Sequence, residues 1–224
     1  SNRERNWFEI KWFLYNLKYL LEISEDSSFS FSFFGLDAKR NSLGFRTNRV
    51  DQIDFGEERD LIKGEFKNFG FESRFLTNYS FLNKKSYLLL GAKYYNSFSE
   101  SIQGPGSNSK NAEFNFDYIN FPNYVNQSEY VYPNYNFAIF GENIFYLNDK
   151  VSITPGFRFE NINTSLDGYY RKINLDAAGN TIYNEVFNEK DTKRRSFILL
   201  GIGLSYKTNN SEFYTNFSQN FRSV

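Results

Sequence analysis

The chain has 224 residues, 26 Lys and Arg against 26 Asp and Glu, and neither cysteine, histidine nor methionine. Balanced charge excludes a net field that would gather nucleic acid or an anionic membrane surface. Without cysteine or histidine there is no disulfide framework, thiolate nucleophile, His- or Cys-based zinc site or imidazole triad, so neither a cofactor nor an enzyme is expected.

Aromatic residues still make up 21% of the chain, with 27 Phe and 17 Tyr, while the mean hydropathy is −0.59. A chain both aromatic and hydrophilic must separate the two over a short period, as a transmembrane barrel does with its apolar outer band and polar lumen. It opens Ser1-Asn2-Arg3 with no signal sequence, which predicts a fragment or a processed product. No uncharged apolar run reaches the ~18 residues of a transmembrane helix.

The first element is Trp7 to Ile23. At period 2, Phe13, Tyr15, Leu17, Tyr19, Leu21 and Ile23 share a face. At period 3.6, Phe8, Trp12, Tyr15 and Tyr19 also align, so strand and helix both remain open, with the aromatic content favouring strand. Ser24 to Ser27 reads as a turn. Ser28 to Phe33 then alternates Ser and Phe strictly, the pattern of a strand between two unlike environments.

Lys39 to Asn68 is polar and reads as a long loop. Phe69 to Phe81 and Tyr87 to Tyr95 are strands joined by a short turn, Leu82 to Ser86. A second long polar stretch covers Asn96 to Asn134. Phe137 to Glu160 holds a hairpin around Leu147-Asn148-Asp149-Lys150, with Pro155-Gly156 predicting a bulge. Thr164 to Ser196 is the third long stretch. Phe197 to Tyr206 and Glu212 to Arg222 are the last strands, joined by Lys207 to Ser211.

Short and long connections thus alternate, the long ones running to about 30 to 40 residues where ~4 to 6 is usual. In an up-and-down meander, alternate connections lie at the same end. The expectation is an all-β fold: an antiparallel, up-and-down transmembrane β-barrel segment of about eight strands over 1–224, with long extracellular loops and short periplasmic turns.

The segments FAIFGENIFYLNDKVSITPGFRFE and LGIGLSYKTNNSEFYTNFSQNFRSV carry a resemblance. They contain Phe140-x-Glu142-Asn143, then Thr154-Pro155-Gly156-x-Arg158-x-Glu160, and later Tyr214-x-Asn216-x-Ser218-Gln219-Asn220-Phe221-Arg222. They resemble the barrel of TonB-dependent outer-membrane receptors. Arg40 to Phe45 and Arg49 to Gln52 look like the ferric citrate receptor branch. The resemblance implies a Gram-negative outer-membrane protein importing ferric chelates, citrate or another siderophore, within a 22-stranded plugged barrel. It implies the TonB complex as a partner, through an N-terminal plug region that this chain lacks, and outer-membrane lipid around the wall.

A ferric chelate built on carboxylates is anionic, and arginine meets carboxylate with a planar two-pronged fork. Arg40, Arg46 and Arg49, at the root of the first long loop, and Arg222 are therefore candidate ligand contacts, each also readable as a solvated charge. Arg158 and Glu160 share the polar face of their strand and read either as a lumenal ion pair or as part of the ligand path; Glu72 and Arg74 behave alike. The competing reading is a complete eight-stranded outer-membrane barrel with an adhesin or structural role, whose first and last strands would pair.

Overall fold

The computed structural model describes residues 3–45 and 51–221. Their strands, in chain order, are β1 (Trp7–Ser24), β2 (Ser27–Gly44), β3 (Arg59–Phe81), β4 (Lys84–Gly106), β5 (Ser128–Tyr146), β6 (Val151–Leu175), β7 (Thr181–Lys207) and β8 (Glu212–Ser218). They form one antiparallel sheet in which each strand pairs with its sequence neighbours. The sheet is open: β1 pairs with β2 alone and β8 with β7 alone. That is the arrangement expected of a barrel segment, and it is not the closed eight-stranded barrel of the competing reading.

The register explains the composition. One row runs from Leu21 to Phe29, Phe75, Leu90, Gly141, Phe157 and Leu200 across seven strands. The row beside it, pointing to the other face, runs from Leu20 to Ser30, Arg74, Gly91, Phe140, Arg158 and Leu199. Because strand side chains alternate sides, this one register puts apolar residues from all eight strands on one face. Leu17, Phe33, Phe71, Leu90, Ile139, Phe157, Ile202 and Phe217 are all exposed there. On β6 the belt runs from Val151 to Phe159, about nine residues, which matches the ~9–11 a tilted strand uses to cross a bilayer. An apolar surface of this extent marks a face that is covered by protein or by lipid. The described residues contain no helix long and apolar enough to cross a membrane.

Trp7 to Ser24 is a strand, which settles the ambiguity at the N-terminal end. It is apolar on both faces, with Phe8, Ile10, Trp12 and Leu14 exposed as well as Phe13 and Leu17.

The turns at 25–26, 82–83, 147–150 and 208–211 all lie at one end, as expected. Leu82 and Asn83 both take positive φ, of 49° and 58°, the backbone that a two-residue hairpin requires. The connections at the other end are much shorter than expected. The strands continue through the polar stretches, leaving only 45–58, 107–127 and 176–180 between them. The third long loop does not exist: β6 and β7 pair without a gap from Val151↔Tyr206 to Asn174↔Tyr183. The reason is that backbone hydrogen bonds hold a strand whatever its side chains, and above the apolar belt both faces meet water. The alternation that marks a strand in sequence is then lost.

The bulge expected at Pro155-Gly156 is absent as well. Pairing of β5 with β6 lapses between Glu142↔Gly156 and Phe145↔Ile153, then resumes in the same register. It lapses likewise at Pro133, between Val131↔Asp167 and Asn134↔Thr164. Proline lacks the N–H that the ladder needs, so bonds are lost without an extra residue being inserted. The strand expected to reach Arg222 ends at Ser218.

Candidate functional site

On the polar face, the row through Arg74, Gly91, Phe140 and Arg158 brings two ion pairs onto one aromatic ring. The Arg74 guanidinium lies 6.0 Å from the Phe140 ring centroid and that of Arg158 lies 5.3 Å from it. Phe140 can lie across β4 because residue 91 is glycine: a Cβ there would come within 2.3 Å of the ring. Each arginine spends Nε on a carboxylate two residues away. Arg74 Nε donates to Glu72 at 2.6 Å, and Arg158 Nε donates to Glu160. Residues i and i+2 of a strand share a face, so each pair is local. The Asn136 amide donates to the second oxygen of Glu160 at 2.7 Å, which leaves that carboxylate buried and held from both sides. The outer guanidinium nitrogens of Arg74 and Arg158 have no protein hydrogen bond among the described residues. They are planar donors aimed along the polar face, suited to carboxylate or phosphate oxygens.

Next to this cluster, Lys93 sits 5.6 Å above the Phe34 ring, which stacks on Tyr95 at 6.4 Å. Again a glycine makes room: a Cβ at Gly70 would meet Phe34 at 2.7 Å. The polar face is therefore aromatic rings laid on glycines with cations over them, a surface that holds charge in a fixed geometry.

Arg40 lies on the same face, with its guanidinium 5.5 Å from the Phe66 ring centroid. In the register it belongs to the row of Gly64 and Ser101, ten residues up β2 from Ser30. That is roughly 30 Å along the strands from the Arg158 cluster. The structure brings Arg158 and Glu160 together and keeps Arg40 apart from them. Arg46, Arg49 and Arg222 lie outside the described residues.

Two arginines that sequence reading passed over organise the loop end. Arg59 is fully buried, and its guanidinium donates to the carbonyls of Ser107 (2.7 Å), Arg5 (3.1 Å) and Asn111 (2.9 Å) and to the hydroxyls of Ser107 and Ser109. Burial pushes its pKa down. Arg5 forks onto Asp54 and donates to the carbonyls of Glu57 and Asn108, both at 2.9 Å. Its hydrogen bonds hold the Asp54 carboxyl below the usual aspartate range. The segment before β1 and the loops 51–58 and 107–113 are thus one hydrogen-bonded unit. Partners 48 to 103 residues apart in sequence leave no local signal.

Higher on the polar face, Tyr130 lies against Gly168, stacks on Tyr132 with centroids 6.1 Å apart and donates to Glu189 at 2.7 Å. Tyr170 stacks on Phe187 at 5.2 Å. Burial first, and the Glu189 carboxylate second, push the Tyr130 phenol upward. Among the described residues no group of three or more carboxylates forms a metal cluster.

No family model and no curated protein matches the sequence. Solved structures do. The unliganded ferric citrate transporter FecA aligns with a TM-score of 0.68 at 14% identity, over 96% of this chain and 28% of that one. The sheet has the fold of part of that barrel. The ferric-catecholate import receptor Fiu of E. coli K12, in its closed form, aligns with a TM-score of 0.69 at 10% identity, over 96% of this chain and 33% of that receptor. The ferric yersiniabactin uptake receptor FyuA of Yersinia pestis gives 0.61 at 12%, over 92% and 27%. The chain spans about a third of these receptors or less, which agrees with its open edges.

Proposed function

We propose that this chain is a stretch of the wall of a TonB-dependent outer-membrane receptor that imports ferric chelates. The apolar face meets outer-membrane lipid, the tight turns face the periplasm and the loops bound up by Arg5 and Arg59 face outward. The observation that carries the reading is the two-faced register. All eight strands present apolar side chains on one side, while the other side carries Arg74, Arg158 and Lys93 over aromatic rings. A wall between hydrocarbon and a water-filled lumen needs that division. The likeness to receptors of ferric citrate, yersiniabactin and catecholates supports the cargo class. The lumenal guanidiniums support an anionic chelate such as ferric citrate.

Uptake of radiolabelled ferric citrate by cells carrying the full-length receptor tests this, with and without TonB. TonB-dependent uptake is expected. An Arg74→Gln, Arg158→Gln pair is expected to lower affinity roughly tenfold, the weight of one charge-assisted hydrogen bond. The same measurement on Arg46→Ala, Arg49→Ala and on Arg40→Ala, Arg222→Ala asks whether the outer arginines contribute. Uptake of an uncharged cargo and no uptake of any ferric chelate would contradict the proposal.

A further inference from the structure

We infer that the outer part of the polar face, on β1, β2 and β3, is a binding site for an anion carried on a flat apolar body; this rests on the reading above that the polar face lines a water-filled lumen. The even-numbered residues of β1 break the rule of that face. Phe8, Ile10, Trp12 and Leu14 all point to the polar side, and they are 60%, 44%, 66% and 68% exposed. The register continues the patch across β2 and β3: Trp12 stands beside Ala38 and Phe66, and Phe8 beside Ser42 and Ile62. Three strands and four rows make a surface roughly 10 Å by 20 Å, wide enough for a ring system. An exposed apolar patch on a face that meets water marks a contact surface.

A second, independent observation puts a charge at the centre of the patch. Arg40 stands between Ile10 and Gly64, in the row that separates those of Trp12 and Phe8. It is exposed, and among the described residues it has no hydrogen bond and no ion pair. Arg74 and Arg158 each have a carboxylate two residues away, whereas the residues two away from Arg40 are Ala38 and Ser42. On this face no carboxylate stands in its row or in the row on either side, from β1 across to β4. The guanidinium lies over Phe66, 5.5 Å from the ring centroid, and Phe66 leans over Gly64, where a Cβ would come within 3.1 Å of the ring. A guanidinium held over a ring still has the donors in its own plane to offer.

The chemistry of the patch selects the guest. The free fork takes a carboxylate or phenolate oxygen, and the apolar side chains around it take the ring that carries that oxygen. Citrate, polar all over, would gain the fork and leave Phe8, Ile10 and Trp12 in water. An uncharged ring would gain the apolar contact and leave Arg40 unpaired. The site is distinct from the cluster of Arg74, Phe140 and Arg158, which sets one ring between two guanidiniums already paired, roughly 30 Å nearer the tight turns.

The test is fluorine NMR of the full-length protein in lipid nanodiscs, with 4-fluorobenzoate as the probe and empty nanodiscs as the blank. Saturable binding is expected, roughly fivefold tighter than that of fluoroacetate, which has the charge alone, or of 4-fluorobenzyl alcohol, which has the ring alone. Arg40→Gln and Trp12→Ser are each expected to weaken it roughly fivefold. Trp12→Phe keeps it, as does Lys11→Gln, which removes a cation from the other face of β1. Heat-dependent gel mobility confirms that each variant is folded. Benzoate held no more tightly than fluoroacetate overturns the site, as does a wild type that binds neither because another part of the full-length protein covers the patch. Equal binding by wild type, Arg40→Gln and Trp12→Ser overturns it too, and so does a loss in Lys11→Gln equal to that in Arg40→Gln. Uptake of a ferric chelate without Arg40-dependent benzoate binding sinks this site alone; Arg40-dependent benzoate binding in a protein that takes up no ferric chelate keeps the site and sinks the transport reading.

Discussion

Phe140 joins two ion pairs only because Gly91 lets its ring lie across β4. Any side chain at 91 displaces the ring, since even a Cβ would come within 2.3 Å of it. Gly91→Val is expected to destabilise the sheet by about 1–3 kcal/mol, the usual range for overpacking, and to free both guanidiniums from the ring. Urea unfolding of the full-length protein from lipid vesicles measures the first effect; an unchanged midpoint would mean that the ring has another place to go. At the loop end, Asp54 is held ionised by Arg5. Its folded pKa lies below the ordinary value of 3.8, so its contribution is complete above that value and is lost as pH falls through the folded pKa. Trp7 reports on this unit, because its indole donates to the Lys110 carbonyl at 2.8 Å. In the full-length protein with every tryptophan but Trp7 replaced by Phe, Trp7 fluorescence is expected to shift below about pH 4 and to lose that transition in Asp54→Asn.

Strands differed in how much of themselves they showed in sequence. β2 was plain, because Ser28 to Phe33 meets two unlike environments and alternates accordingly. β1 read two ways because it is apolar on both faces, and side-chain period cannot then separate strand from helix. The outer halves of β6 and β7 were invisible, being polar on both sides. Their one signal was the turn Asp176-Ala177-Ala178-Gly179-Asn180: Asp176 Oδ1 accepts from the backbone of Ala178 (2.9 Å) and Asn180 (2.8 Å), and Gly179 takes a φ of +86°. Amide hydrogen exchange is expected to show protection through Ser165–Ile173 and Tyr183–Lys193, with rapid exchange confined to 176–180. Rapid exchange throughout 164–196 would restore the long loop. The site was half legible. The pairs Glu72–Arg74 and Arg158–Glu160 follow from i, i+2 spacing, whereas the ring that unites them is found only once the register of β4, β5 and β6 is known.

At the scale of the molecule, one register divides eight strands into an apolar and a polar face and leaves both edges unpaired. Open edges of this kind invite association, so the chain in isolation is expected to aggregate where the full-length protein does not. The division of faces also fixes where charge is tolerated: arginine at Phe157 should cost about 2–4 kcal/mol at mid-depth, whereas Arg158, its neighbour, already lives on the other side. The chain has no cysteine, so once any cysteine elsewhere in the full-length protein is replaced each introduced thiol is a unique label. Spin labels at Phe71, Leu90, Phe157 and Leu200, and at Glu72, Lys93, Arg158 and Leu199, in the full-length protein in bilayers, test the two faces directly. The first set should be relaxed by oxygen, which partitions into hydrocarbon, and the second by a water-soluble nickel chelate. Equal accessibility of the two sets to both agents, or the reverse assignment, would contradict the account.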